Sequence, residues 1–223
     1  MTKTLRLVLG DQLNSQHSWF ATPSSSVTYL MLEMRQETDY VAHHIQKVVG
    51  IFLGMRHLAQ HLNEKGHRVE YLKITDSNQQ STFVSNIEKI VKEYSIHQIE
   101  YQEPDEFRVD EDLKSLKSLS LEVIMVSSEH FLTNRSDLKE MFVGKKTYLM
   151  ESFYRKMRVK WNVLVDENSQ PLEGKWNFDH DNRKKWDPKR AVPPPLEFSH
   201  DARSLLEELE LAKVKTMGRI NPS

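Results

Sequence analysis

The stretch LRLVLGDQL, residues 5–13, carries an apolar run from Leu5 to Leu9 that stops at Gly10-Asp11-Gln12. A short apolar run closed by a glycine and two polar residues reads as a buried strand followed by a turn. A second run, Val27 to Leu32, has the same character. The 14 residues between Gln12 and Val27 are just enough for the crossover that two parallel strands require. From Asp39 to Lys65 the apolar residues fall at 41, 45, 48, 49, 52, 55, 58, 59 and 62, a period close to 3.6, and Gly66 supplies a stop. That spacing predicts one long helix. Val69 to Ile74, Ile96 to Tyr101 and Leu121 to Val126 are further strand-like runs, separated by helical patterns at 81–95 and 107–119. Strands alternating with helices predict an α/β fold built on a five-stranded parallel, Rossmann-like sheet flanked by helices.

After about residue 145 the pattern changes. A helix around 150–161 is followed by a turn-rich stretch through Asp166-Glu167-Asn168 and Pro171, then by Pro193-Pro194-Pro195. Residues 200–217 place Ala202, Leu205, Leu206, Leu209, Ala212 and Met217 along one helical face that must pack on something. Either this helix folds back on the sheet, or the chain is part of a longer protein.

The 223 residues hold 31 Lys and Arg against 32 Asp and Glu, a net charge of −1, which excludes a polycation or an acidic tail protein. With 38% hydrophobic and 28% charged residues the chain is an ordinary globular protein. The absence of cysteine removes disulfides, a thiol nucleophile and any thiolate-held zinc or iron–sulfur cluster from this chain. No apolar run approaches the roughly 20 residues needed to span a bilayer, and the start lacks the apolar stretch of a signal peptide. The expected setting is soluble and cytoplasmic, without membrane partners.

In an open parallel sheet, ligands bind beyond the carboxyl ends of the strands. That rule selects Gly10, Asp11 and Gln12 after the first strand, and Glu33, Glu37, Tyr40, His43 and His44 after the second. Carboxylates, an amide and an aromatic ring can pair with the edges of a heterocycle and stack on its face. The competing reading is a turn at Gly10-Asp11, a helix cap at Asp39 and solvated histidines. Neither G-x-G-x-x-G after the first strand nor a phosphate-binding P-loop occurs, so ordinary dinucleotide and P-loop chemistry are disfavoured.

On the long helix His43, Lys47, Gly50, Gly54, His57 and His61 share a stripe. Each glycine there costs about 1 kcal/mol of helix propensity against alanine, so a close approach of a packed element or a ligand is expected. Adjacent His43 and His44 point to different helix faces, which disfavours a metal pair, and no metal site is expected. No G-x-S-x-G elbow occurs, and no nucleophile stands beside the Asp179-His180-Asp181 string, so no catalytic residue is assigned. Residues 144–160, GKKTYLMESFYRKMRVK, carry six Lys or Arg and one Glu among Tyr148, Phe153 and Tyr154, and Arg183-Lys184-Lys185 and Lys189-Arg190 add more. Basic groups among aromatics suit contact with nucleic-acid phosphates, or else form a solvated helix face.

LVLGDQL at 7–13, ETDYVAHHIQK at 37–47 with MRH at 55–57, MESFYRKMR at 150–158 and GKWNFDHDNR at 174–183 together resemble the photolyase/cryptochrome superfamily. The resemblance is to its bacterial photolyase-related branch, whose members carry an iron–sulfur cluster and repair (6-4) photoproducts, and it runs essentially from end to end. It implies that residues 1–145 are a Rossmann-like α/β antenna domain. Residues 146–199 would be an inter-domain linker, and residues 200–223 the first helix of a missing helical domain that binds FAD and a four-cysteine 4Fe–4S cluster.

By the same resemblance the α/β domain holds an antenna chromophore, 6,7-dimethyl-8-ribityllumazine, with Asp11, Gln12, Glu37, Tyr40, His43 and Ile51 as its candidate site. Glu37 can accept from a ring N–H, Asp11 and Gln12 can bond ring or ribityl oxygens, and Ile51 can supply an apolar wall. Lys145, Lys146 and Arg183 would touch UV-damaged DNA in the full protein. The implied function is blue-light harvesting for FAD-dependent repair or for light signalling, with the fragment alone catalytically silent. The rival readings are a stand-alone α/β module for a nucleotide-like small molecule and a basic nucleic-acid-binding adaptor. The residues do not fix the oligomeric state.

Overall fold

The computed structural model describes residues 2–179, 183 and 185–221. His180 and Asp181 of the string at 179–181, and Lys184 beside Arg183, lie outside the described residues. The chain forms two compact units, one made of the residues up to Leu132 together with those from Ser199 on, the other of Thr133–Phe198.

The first unit contains the sheet. Its strands are β1 (Thr4–Leu7), β2 (Val27–Leu32), β4 (Arg68–Leu72), β5 (Gln98–Gln102) and β6 (Glu122–Val126), all parallel and ordered β4-β2-β1-β5-β6. A separate two-residue ladder joins β3 (His43–His44) to β7 (Thr216–Met217). The helices are α1 (Arg35–Asp39), α2 (Ile45–Glu64), α3 (Phe83–Tyr94), α4 (Phe107–Lys114) and α7 (Arg203–Leu211).

β2, VTYLML, is apolar almost throughout because both sheet faces are covered, while β1 and β5 each carry one charged residue, Arg6 and Glu100, that pair with each other at 2.8 Å. Alternate side chains divide between two cores. Leu5, Leu7, Leu30, Leu32, Ile99 and Tyr101 pack under α3 and α4 with Ile87, Ile90 and Leu113. Val8, Tyr29 and Met31 pack on the other face with Val48, Phe52 and Met55 of α2 and with Leu205 and Leu209 of α7. Each fully buried leucine contributes about 1.5–3 kcal/mol relative to exposure. The β1–β2 crossover contains a 3-10 turn, Ser18–Phe20, in place of a full helix, and buries Trp19 and Phe20 in the second core.

Two expectations are corrected. The helical pattern from Asp39 does not form one helix. It splits into α1, a break at 40–42, the strand β3 and then α2, where the His44 ring accepts from the Gln46 N–H as N-cap. Strand pairing of His43 and His44 with Thr216 and Met217 overrides the local helical period. For the same reason the pattern at 200–217 stops at Leu211; the chain turns at Lys213, whose φ is +55°, and pairs as β7. Of the two fates open to that apolar face, the structure has the helix folded back, with Ala202, Leu205 and Leu209 buried against α2.

A polar network ties α7 to the sheet unit. Glu33, fully buried after β2, accepts from Arg56 at 2.7 and 3.0 Å, from Tyr71 at 2.6 Å and from the Ile74 N–H at 3.0 Å. Arg56 also donates to Glu208 of α7, whose second oxygen accepts from Lys73 at 2.8 Å.

The second unit contains α5 (Asp137–Met141), α6 (Met150–Lys160) and a 3-10 turn at Leu172–Gly174. Arg158 is buried and donates to the carbonyls of Val163, Leu164 and Trp176, so it organises the turn-rich stretch that follows α6. Among the described residues no helix is long and apolar enough to cross a membrane.

Candidate functional site

From β1 the chain moves outward through β2 to β4, then returns to the other side of β1 for β5 and β6. The loops after β1 and β5 therefore diverge, and a parallel sheet opens its ligand crevice at that switch point. A cavity of about 170 Å³ lies there. Gly10 and Asp11 reach it from the end of β1, Glu37 and Tyr40 from α1 and the loop after it, and Pro104 and Glu106 from the loop after β5. His43, Lys47 and Ile51 line the side formed by β3 and α2, over a floor that includes Met34, Phe52 and Met55.

The close fit of the β1 loop on α2 depends on Gly10. A Cβ at that position would stand 2.8 Å from Ile51 Cγ2 and 3.2 Å from Met55 Sδ. Of the two glycines on α2, only Gly54 meets a close neighbour, Leu13 Cδ1 at 2.9 Å from its would-be Cβ, while Gly50 faces open space.

Five of the six candidate residues, Asp11, Glu37, Tyr40, His43 and Ile51, line this one cavity. Gln12 lies outside the lining and is buried. Its Oε1 accepts from the Leu9 N–H at 3.1 Å, and its Nε2 donates to the Gln102 carbonyl at 3.2 Å, clamping the β1 turn to the end of β5. Glu33 belongs to the buried network described above, and His44 caps α2, so neither lines the cavity.

The polar wall is cross-linked. Arg108, in the first turn of α4, donates to both oxygens of Glu37 at 3.0 and 2.9 Å and to Glu106 at 2.9 Å. Its guanidinium carbon lies 4.4 Å from the Tyr40 ring centroid. The Tyr40 and His43 rings meet edge to face at 5.0 Å, and Lys47 Nζ stands 3.2 Å from His43 Nδ1. Hydrogen bonds donated to Glu37, together with its charge, hold the Arg108 guanidinium firmly protonated. Asp11 stands at the mouth, where loss of water pushes its carboxyl above the ordinary range; Asp105 and Glu106 add repulsion, opposed by a backbone hydrogen bond and by His130.

Arg108 and Glu106 did not emerge from the sequence, although the rule that selected the ends of β1 and β2 applies equally to β5. Extending it there finds EPDEFR at 103–108. Among the described residues no group of three His, Asp or Glu side chains has the arrangement of a metal site.

Lys145, Lys146 and Arg183 are exposed in the second unit. The other four cations of 144–160 serve that unit's own packing. Arg155 pairs with Glu151 at 2.9 Å, Lys156 donates to the Met141 carbonyl, Arg158 is buried, and Lys160 pairs with Asp137 at 2.9 Å.

The sequence matches the family described as deoxyribodipyrimidine photo-lyase-related protein over residues 6–223. It is 32% identical to a (6-4) photolyase of Agrobacterium fabrum (strain C58 / ATCC 33970) over 199 residues, 88% of this chain and 39% of that protein. The chain thus spans about two fifths of the length of that curated relative. A match that runs through both units and almost the whole sequence makes this chain a member of the deoxyribodipyrimidine photo-lyase-related protein family.

Proposed function

We propose that the crevice binds an antenna chromophore of the lumazine type and that the chain is the light-harvesting part of a photolyase-related flavoprotein. The observation that carries this reading is the convergence of Asp11, Glu37, Tyr40, His43 and Ile51 on one cavity at the switch point of the sheet. The lining offers the surfaces that a flat heterocycle with a polar tail would use. Ile51, Phe52 and Met55 offer apolar surface, and Glu37 offers acceptor oxygens to a ring N–H. Asp11, at the mouth, bonds hydroxyls of a ribityl chain. Gly10 leaves the backbone close against Ile51, so any larger residue there would fill space beside the ligand.

When bound, the chromophore supplies absorption of violet light and transfer of its excitation. The chain's own groups bind it, orient it and exclude water from its apolar edge. A four-cysteine iron–sulfur cluster does not fit this chain, which contains no cysteine, and no step is derived through it. FAD, and the repair of (6-4) photoproducts in UV-damaged DNA or a signalling role, are proposed for a longer protein that includes this sequence. Lys145, Lys146 and Arg183 are the proposed phosphate contacts in that setting.

The test is an absorption and fluorescence spectrum of the purified chain before and after incubation with 6,7-dimethyl-8-ribityllumazine and gel filtration. The wild type is expected to retain a fluorescent, violet-absorbing species. Ile51→Trp, which fills the cavity, and Glu37→Ala, which removes the acceptor, should each weaken retention by about tenfold or more. A wild-type chain that stays colourless, but is protected from heat by a nucleotide, would replace this reading with that of a nucleotide-binding module.

A further inference from the structure

We infer that Arg108 is the residue that positions Glu37 and Tyr40, so that the crevice selects a heterocycle presenting an N–H donor edge beside an aromatic face. This inference rests on the reading of the crevice as a chromophore site. α1 is short, has no side-chain bond from its N-cap Met34, and is followed by a break at 40–42 before β3; Gln36, bonded to Asp112 at 2.5 Å and to the Phe83 N–H at 3.2 Å, and Arg35, paired with Asp39, anchor the helix but not the Glu37 or Tyr40 side chains. Nothing in α1 itself fixes the direction of the Glu37 carboxylate. Arg108 comes from the other side of β1, on the helix that follows β5, and does not line the cavity.

From behind the wall its planar fork gives both Nη atoms to the two oxygens of Glu37, at 3.0 and 2.9 Å, while Nε is held by Glu106 at 2.9 Å. The same guanidinium faces the Tyr40 ring at 4.4 Å. One group thus locks a carboxylate and an aromatic ring that both line the cavity, and it ties α1 to the first turn of α4.

The chemistry of the lock determines what the site accepts. A carboxylate has about four lone-pair positions, and a bidentate guanidinium takes one on each oxygen. The remaining positions face away from Arg108 and are acceptors only, so a ligand edge meeting Glu37 gains from an N–H and not from a carbonyl or an N-methyl group. Lysine at position 108 would keep the charge but lose both the fork and the flat face over Tyr40.

The test compares 6,7-dimethyl-8-ribityllumazine with its N3-methyl derivative by fluorescence titration of wild type, Arg108→Met, Arg108→Lys, Glu37→Gln and the Arg108→Met/Glu37→Gln double variant. Wild type is expected to prefer the N–H compound. Arg108→Met should weaken its binding by about tenfold, as loss of the carboxylate's fixed direction implies, and abolish the preference; Arg108→Lys should behave nearly as badly. In the double variant the weakening should be clearly less than the sum of the two single effects, because Arg108 acts largely through Glu37. Additive effects with the preference retained would overturn the inference while leaving the chromophore reading in place. If wild type binds neither compound, the chromophore reading fails, and amide exchange of the ligand-free proteins then judges the lock. Arg108→Met should speed exchange across 36–42 while β1 and β5 stay protected, and unchanged exchange there would overturn it.

Discussion

At Gly10 a single hydrogen in place of a methyl group lets the β1 loop rest on α2, since a Cβ would lie 2.8 Å from Ile51 Cγ2 and 3.2 Å from Met55 Sδ. Gly50, on α2 itself, has open space where its Cβ would be. The two glycines should therefore respond oppositely to alanine. Gly10→Ala should destabilise the protein by about 1–3 kcal/mol through overpacking, and Gly50→Ala should stabilise it by about 0.5–1 kcal/mol through helix propensity. Urea midpoints of the two variants check this, and a stabilising Gly10→Ala would mean that Ile51 and Met55 yield without strain. The sequence singles out both glycines, one by its strand end and one by its helical stripe, but only the packing distinguishes them. The same holds for the polar candidates. Asp11, Glu37, Tyr40 and His43 were legible because they follow strand ends, whereas the burial of Gln12 and the reach of Arg108 across β1 depend on tertiary distances that no local pattern carries.

Helix α7 is held to the sheet unit by an apolar face and by one carboxylate. Burial pushes the Glu208 carboxyl upward, but hydrogen bonds from Lys73 and Arg56 outweigh it and hold the group below its usual value of 4.5. A carboxylate with a depressed pKa in the folded state stabilises that state above its unfolded pKa, and the contribution disappears as pH falls through the folded value. Glu208→Gln should therefore cost about 1 kcal/mol at pH 7, and the difference from wild type should be smaller at an acid pH well below 4.5. Denaturant titrations of both proteins at the two pH values measure it; a difference that persists undiminished in acid would assign the effect to packing instead of charge. At this scale the sequence is legible where an element is apolar by its own period. All five sheet strands, α3, α4 and α6 could be placed within a few residues. The exceptions are 39–44 and 212–217, where two segments of helical appearance become the β3–β7 ladder, because that pairing joins residues far apart in the chain.

Across the whole molecule the net charge of −1 conceals a division between the two units. Residues 133–198 hold 14 Lys and Arg against 10 Asp and Glu, a net of +4, while the remainder holds 17 against 22, a net of −5. A uniform protein of this composition would be repelled weakly by DNA, whereas a unit of net +4 attracts it. Within the basic unit, Arg155, Lys156, Arg158 and Lys160 are committed to internal partners, which concentrates any phosphate binding on exposed cations such as Lys145, Lys146 and Arg183. Removing one cation that neutralises a phosphate should reduce the slope of log affinity against log salt by about 0.9 for duplex DNA. Arg183→Ala and Lys145→Ala should thus each weaken binding to a short duplex by several-fold at low salt and make the salt dependence shallower by about one. Arg155→Ala, which removes an internally paired cation of the same unit, should leave the slope unchanged. Fluorescence anisotropy across a salt series distinguishes these outcomes: equal slopes for all three variants would show that the +4 unit repels or ignores DNA through these residues, and would remove Lys145 and Arg183 from the proposed interface.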